Sequence, residues 1–272
     1  MLEARLSEAG LFKRLIDAVK DLVTDCSFEF SDEGMKMQAM DASHVSLCVM
    51  NLDRDAFESY RCDRVINLGL SLSSLSKILK CSRDDDVLTL KAGEQTDLLT
   101  LLFENKAQDK TMDFNIKLME IEEETLGIPD QKYEARVEMP SAEFAKTIRD
   151  LSVLGDTCGI GCTKEAVKFA VEGEIGSANI TLRNSEPSID GKKKGTALSV
   201  SSPVELTFAL RYLKIFTQAT SLASRVNFSM ASDVPLVLEY PIIPGVADGD
   251  EPEQKGKLCF YLAPKIDDDT QA

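Results

Sequence analysis

Residues 12–19 read FKRLIDAV, and residues 144–151 read FAKTIRDL. Phe12, Ile16 and Val19 fall on Phe144, Ile148 and Leu151 at a constant offset of 132. The same offset carries Glu33-Gly34-Met35-Lys36-Met37 onto Glu165-Ala166-Val167-Lys168-Phe169. Just upstream, Glu3-Ala4-Arg5 meets Glu134-Ala135-Arg136 at an offset of 131. Three matches in near-constant register point to one module of roughly 120 residues written twice. In the first copy Phe12, Leu15, Ile16, Val19, Leu22 and Val23 share one face of a 3.6-residue period, which predicts a helix over 11–22. In the second, Pro140-Ser141 gives a start signal and the period predicts a helix over 142–152.

Working outward, each copy repeats one order. A short strand precedes the helix (3–6; 135–139). Alternating strands follow it: 26–30, 35–40 and 46–51 in the first copy, 159–162, 167–171 and 178–182 in the second. A second short helix is expected over 72–80 and again over 209–217. Strands over 87–91 and 98–104, then 226–230 and 236–240, close the copies. Many short strands with two short helices per copy make an α+β fold. Between the copies runs KLMEIEEETLGIPDQKY (117–133), with Glu120, Glu122, Glu123 and Glu124 ahead of Leu126-Gly127-Ile128-Pro129. Gly and Pro so close together disfavour a regular element, so this is a long surface connector. The expected domains are 1–117 and 135–272, joined by a connector over 118–134. The stretch 245–257 is a polar insertion, and Asp267-Asp268-Asp269 an acidic end.

The 272 residues suit one large or two modest domains. Lys and Arg number 31 against 46 Asp and Glu, a net charge of −15, so the average surface repels phosphate. Apolar content of 43% supports a packed core. No run of 18 apolar residues occurs, so no membrane span is expected, and MLEARLSEAG lacks the apolar core of a secretory leader. Seven cysteines in irregular spacing read as reduced, mostly buried thiols. A single histidine, His44, excludes paired-histidine zinc chemistry. There is no GxSxG and no GxxxxGK[ST], and Gly159-Ile160-Gly161 lacks the third glycine of a dinucleotide fingerprint. Neither an enzyme nor a bound metal or cofactor is expected; Asp84-Asp85-Asp86 is read as a loop.

The positive charge is not spread evenly. The four predicted helices hold nine basic residues (Lys13, Arg14, Lys20, Lys77, Lys80, Lys146, Arg149, Arg211, Lys214) against four acidic ones (Asp17, Asp21, Glu143, Asp150). That is +5 in 41 residues, leaving −20 on the other 231. At 100° per residue the helix 72–80 turns Lys77 and Lys80 away from its apolar face, 142–152 does so with Lys146 and Arg149, and 209–217 with Arg211 and Lys214. One reading is an ordinary solvated surface; the other is a surface facing a polyanion. No aromatic residues interleave with these positions and no base-reading motif occurs, so phosphate contact without base readout is what the second reading offers. An acidic interaction scaffold that never touches DNA is the competing function.

Several longer segments carry a resemblance: MDASHVSL (40–47), YRCDR (60–64), SKILKC (76–81), LGIP (126–129), LTFALRYL (206–213), DVPLVLEYPI (233–242) and YLAPKI (261–266). By these the chain resembles the eukaryotic DNA sliding clamps over essentially its whole length. The resemblance implies a homotrimeric ring of six similar domains, with short helices lining the hole and sheets outside. Twelve helices, each about 10 Å wide, would enclose a hole of very roughly 30 Å. It implies that the nine cations above face threaded double-stranded DNA, with Gln218 standing where many relatives carry lysine. It implies that strand 110–117 of one subunit pairs with about 175–183 of the next, using Lys110, Phe114, Ile116, Ile175, Ser177 and Ile180. It implies a groove under the connector for short partner peptides that insert one aliphatic and two aromatic side chains. The matching positions are Met40, His44, Val45, Leu47, Leu126, Ile128, Pro129, Tyr133, Val234, Pro235, Tyr261, Leu262 and Pro264, with Ala209 and Ala263 offering backbone acceptors. The implied partners are DNA polymerase, clamp loader, flap endonuclease, ligase and other PIP-box proteins, in the nucleus. Lys164 matches the family's ubiquitin acceptor.

Overall fold

The computed structural model describes residues 1–93, 97–105, 107, 109–121, 126–128, 131–185, 195–243 and 253–265. Glu122, Glu123, Glu124, Pro129, most of the 245–257 insertion and the acidic end lie outside the described residues. The chain divides into two compact units: Met1–Ala42 with Leu47–Leu126 and Pro241–Leu258, and Ser43–Ser46 with Gly127–Tyr240 and Cys259–Ala272.

The first unit holds β1 (Leu2–Leu6), α1 (Ala9–Val19), β2 (Asp25–Ser31), β3 (Gly34–Met40), β4 (Ser46–Asp53), β5 (Ser59–Cys62), β6 (Ile66–Ser71), α2 (Leu72–Leu79), β7 (Val87–Ala92), β8 (Leu98–Asn105) and β9 (Lys110–Lys117). Its strands run in the orders β5-β1-β7-β8-β9 and β4-β3-β2-β6. The second unit holds β10 (Ala135–Pro140), α3 (Ser141–Leu151), β11 (Thr157–Cys162), β12 (Ala166–Gly173), β13 (Gly176–Arg183), β14 (Ala197–Val200), β15 (Val204–Ala209), α4 (Leu210–Phe216), β16 (Arg225–Met230), β17 (Leu236–Pro241) and the later part of β18 (Gly256–Leu262). Its orders are β14-β10-β16-β17-β18 and β13-β12-β11-β15. The two sets of orders are one pattern, with β1 answering to β10, β2 to β11, β4 to β13 and β9 to β18. The sequence repeat is therefore a repeat of topology. Phe12 and Phe144, which carry it, are both 1% exposed. Phe12 lies 6.5 Å from the ring of Phe28, and Phe144 lies 6.3 and 6.1 Å from Phe169 and Phe228.

Alternating burial explains the strands: β1 and β10 each bury every second residue. The helices start by another device. None of the four carries a side-chain cap. Their first amides are met by carbonyls from beyond the partner helix. Ala9 N donates to Asp86 O (2.7 Å) after α2, and Leu72 N to Thr24 O (2.9 Å) after α1. Ser141 N donates to Ser224 O (3.0 Å) after α4, and Leu210 N to Asp156 O (2.9 Å) after α3. Each pair is thus antiparallel and mutually capped, satisfying amides that a helix cannot satisfy itself. This corrects the expected bounds. α1 begins at Ala9 and ends at Val19 rather than spanning 11–22, leaving Lys20 as its C-cap. α2 ends at Leu79 with Lys80 as C-cap, and α4 tightens into a 3₁₀ turn at Thr217–Ser221.

Sheet edges are treated unequally. Along β6, Met119 N donates to Gly69 O at 3.0 Å; a Cβ on Gly69 would lie 2.1 Å from Met119 O, so glycine admits the connector there. Along β15, Lys265 N donates to Thr207 O at 2.8 Å. At β4, Asp53 N donates to Lys255 O (3.0 Å), and Ala263 N to Val45 O (3.1 Å). β9 and β13 end their strand orders with a free edge among the described residues.

Candidate functional surfaces

The predicted DNA-facing cations differ in how they are held. Lys77, Lys80, Lys146 and Lys214 are exposed and, among the described residues, in no ion pair. Arg149 is exposed beside its neighbour Asp150 at 3.3 Å. The Arg211 guanidinium sits 4.7 Å from the Tyr212 ring centre and donates to its hydroxyl at 3.0 Å. α1 is different. Lys13 Nζ donates to Asp84 Oδ1 at 2.9 Å, and that bond holds the Asp84 carboxyl below its usual value. Lys20 pairs with Asp17, which also accepts from Ser76 Oγ at 3.1 Å. Arg14 is half-buried, its Nε without a hydrogen-bond partner among the described residues.

In the first unit the connector is pinned by a residue the sequence reading missed. Gln38, on β3, donates from Nε2 to Leu126 O (3.1 Å) and accepts from Leu126 N at Oε1 (2.7 Å). Its half-buried place beside fully buried Met37 offered no local signal. Leu126 stays 43% exposed and Met40 half-buried, while Leu47 is 8% exposed.

In the second unit Ile128 is 40% exposed. His44 is exposed at a left-handed φ of 54°, and Val45 accepts from Ala263. Tyr133 and Tyr261 are half-buried; burial pushes the Tyr261 phenol up to about 12, and raises that of Tyr133. Arg136 lies 6.0 Å from the Tyr133 ring centre. Val234 and Pro264 are half-buried, Pro235 and Ala263 exposed, and Ala209 closes β15. Leu262 is wholly buried, which corrects its expected place on a groove wall: alternation along β18 turns Tyr261 outward and Leu262 into the core.

The free edges carry Lys110 (exposed) and Phe114 (half-buried, 5.9 Å from the Phe103 ring) on β9, and Ser177 (exposed) and Ile180 (half-buried) on β13. Ile175, just before β13, is 74% exposed. Ile116 is 8% exposed and offers the edge its backbone. Lys164 is exposed in the turn between β11 and β12, where Thr163 N donates to Ala166 O at 2.9 Å.

Cys26, Cys48, Cys158, Cys162 and Cys259 are buried, and burial pushes Cys48, Cys158 and Cys162 up to about 12. Among the described residues no group of three or more potential ligands is set to hold a metal, and no helix is long and apolar enough to cross a membrane.

Comparison with known families gives two matches in tandem. Residues 1–125 match the model of the proliferating cell nuclear antigen N-terminal domain, and residues 127–265 that of its C-terminal domain. A doubled α+β module with basic helices and a pinned connector, matched by both halves of this family along nearly its whole length, belongs to the proliferating cell nuclear antigen family of ring-shaped DNA sliding clamps, non-catalytic processivity factors and docking platforms of DNA replication and repair.

Proposed function

We propose that three copies of this chain close head to tail into a nuclear ring threaded by duplex DNA, with domains 1–117 and 135–272 joined by the connector 118–134. The supporting observation is that β9 and β13 each end a sheet with an open edge among the described residues. In the first unit the end of β4 is met from the chain itself, Asp53 N donating to Lys255 O, and in the second the end of β18 is, Ala263 N donating to Val45 O. Their counterparts in the repeat are β13 and β9, each with an open edge. A strand edge with unpaired amides and carbonyls recruits another chain, and a head-to-tail contact closes where its rotation allows. β9 and β13 are both eight residues long, so each can pair along its whole length with its counterpart in the next copy. Lys110, Ile116, Ile175 and Ser177 then belong to the same seam.

In that ring the cations of α1 to α4 meet phosphate without reading bases, while the −15 chain discourages DNA from the outside. Retention is topological, so the ring slides. The groove residues, from Met40, His44 and Val45 to Tyr261 and Pro264, take peptides of polymerase, clamp loader, flap endonuclease, ligase and other PIP-box proteins. Exposed Leu126 and Ile128 suit aromatic anchors. Exposed Lys164 is the ubiquitin acceptor. Native mass spectrometry tests the assembly: three chains of 29.9 kDa are expected. A single-chain or two-chain mass would overturn the ring.

A further inference from the structure

We propose that Asp84 is a positioning residue of the DNA-facing surface: an internal counter-ion set beside Lys13, so that α1 meets a duplex with less charge than its sequence carries. This rests on the reading that Lys13 faces DNA.

The fold builds the place of Asp84. The turn at 83–86 caps α1, with Ala9 N on Asp86 O (2.7 Å) and Gly10 N on Asp84 O (3.0 Å). Buried Asp86 locks that turn: its Oδ2 accepts from Arg83 N (2.9 Å), and its Oδ1 from Asn105 Nδ2 (2.6 Å). Gly10 permits the approach. A Cβ there would lie 2.9 Å from Asp84 Cβ and 3.2 Å from Asp84 O. One turn along α1, Lys13 Nζ reaches Asp84 Oδ1 at 2.9 Å. Arg14 lies on the same side, its Nη1 3.3 Å from where that Cβ would sit. Lys13 is the cation that this carboxylate bonds, with the Arg14 charge acting on it more weakly, whereas Lys77, Lys80, Lys146 and Lys214 have no such partner among the described residues. Asp85 is engaged elsewhere, with Arg83 at 3.1 Å.

A phosphate approaching Lys13 must displace this carboxylate or share the lysine with it. The Asp84 side chain is 69% exposed, so the pair is weak and exchanges readily. It lowers the hold of α1 on DNA without blocking it, which keeps the ring free to slide. Sequence-independent affinity follows the number of phosphates neutralised, so removing the carboxylate adds to it.

The test is fluorescence anisotropy of a short labelled duplex against the assembled protein over a salt series. Asp84→Asn, which keeps the capping carbonyl, should tighten association about two- to fivefold at low salt and steepen its salt dependence. Asp84→Glu should return both toward the parent, and the tightening should fall by more than half when Lys13 is already alanine. An unchanged Asp84→Asn beside a weakened Lys13→Ala overturns the counter-ion role and leaves the DNA-facing reading standing. Full tightening without Lys13 also overturns it. A Lys13→Ala that binds like the parent removes the DNA-facing reading of Lys13, and the proposal with it. Native mass and melting temperature of Asp84→Asn should match the parent.

Discussion

Replacing Gln38 by alanine removes the clamp that sets the connector on β3. Two hydrogen bonds are lost, at 3.1 and 2.7 Å, and both involve the backbone of Leu126. A neutral hydrogen bond contributes about 0.5–1.5 kcal/mol net, and exposed ones fall at the low end, so the clamp holds Leu126 by about 1–2 kcal/mol. Upstream the connector keeps Leu118 N on Asp97 O and Met119 N on Gly69 O, so the loss is local. A peptide anchored against Leu126 must then restore that order on binding. Its dissociation constant should rise about five- to thirtyfold. Calorimetry with a PIP-box peptide reads this directly, and hydrogen exchange at the Leu126 amide should speed up by a similar factor. Faster exchange at Leu126 with a dissociation constant within twofold of the parent would refute the reasoning, since the peptide would then not depend on the pinned connector.

Changing Leu126 and Ile128 together to alanine removes side chains that are 43% and 40% exposed and available to a ligand. Full burial of such a side chain is worth about 1.5–3 kcal/mol, so the pair should weaken peptide binding about tenfold to fiftyfold by calorimetry. Reversing Lys77, Lys80, Arg149 and Arg211 to glutamate should lower polymerase processivity while native mass stays that of the assembled ring; unchanged processivity would count against these residues facing DNA. Alkylation of the native protein at pH 8 should reach exposed Cys81 first and spare Cys26, Cys48, Cys158, Cys162 and Cys259, as mass spectrometry of labelled peptides will show. Cys48, Cys158 and Cys162 are raised to about 12 from an ordinary 9.0, so the unfolded chain ionises first. The stability they lend is full below about pH 9 and is lost as pH rises toward 12, which urea unfolding across that range should register.

The repeat, the four helices and their apolar faces were legible because periodicity is a local signal: Phe12, Ile16 and Val19 declare their face without help from the rest of the chain. The helix starts were legible to within two residues, but what caps them was not. Ala9 and Ser141 are capped by Asp86 and Ser224, carbonyls that any residue could supply, from segments far along the chain. Strands β5, β6, β14, β15 and β18 also escaped. β5 and β14 are four residues long, and β18 buries Leu258, Cys259 and Phe260 in a row, which hides its alternation. The basic residues of the candidate DNA surface could be named from sequence, but their partners could not, since Asp84 pairs with Lys13 across 71 positions. Gln38 reaches Leu126 across 88. Leu262 shows the converse: resemblance transfers a residue's position but not the direction of its side chain.

Encirclement itself is tested by loading the protein onto a closed circular duplex with its clamp loader, removing the loader, and timing retention before and after a single cut by a restriction enzyme. A threaded ring should remain on the closed circle and run off once an end is made. Equal retention on the closed and the linear forms would contradict it, because the hold would then come from contact with DNA and not from being closed around it.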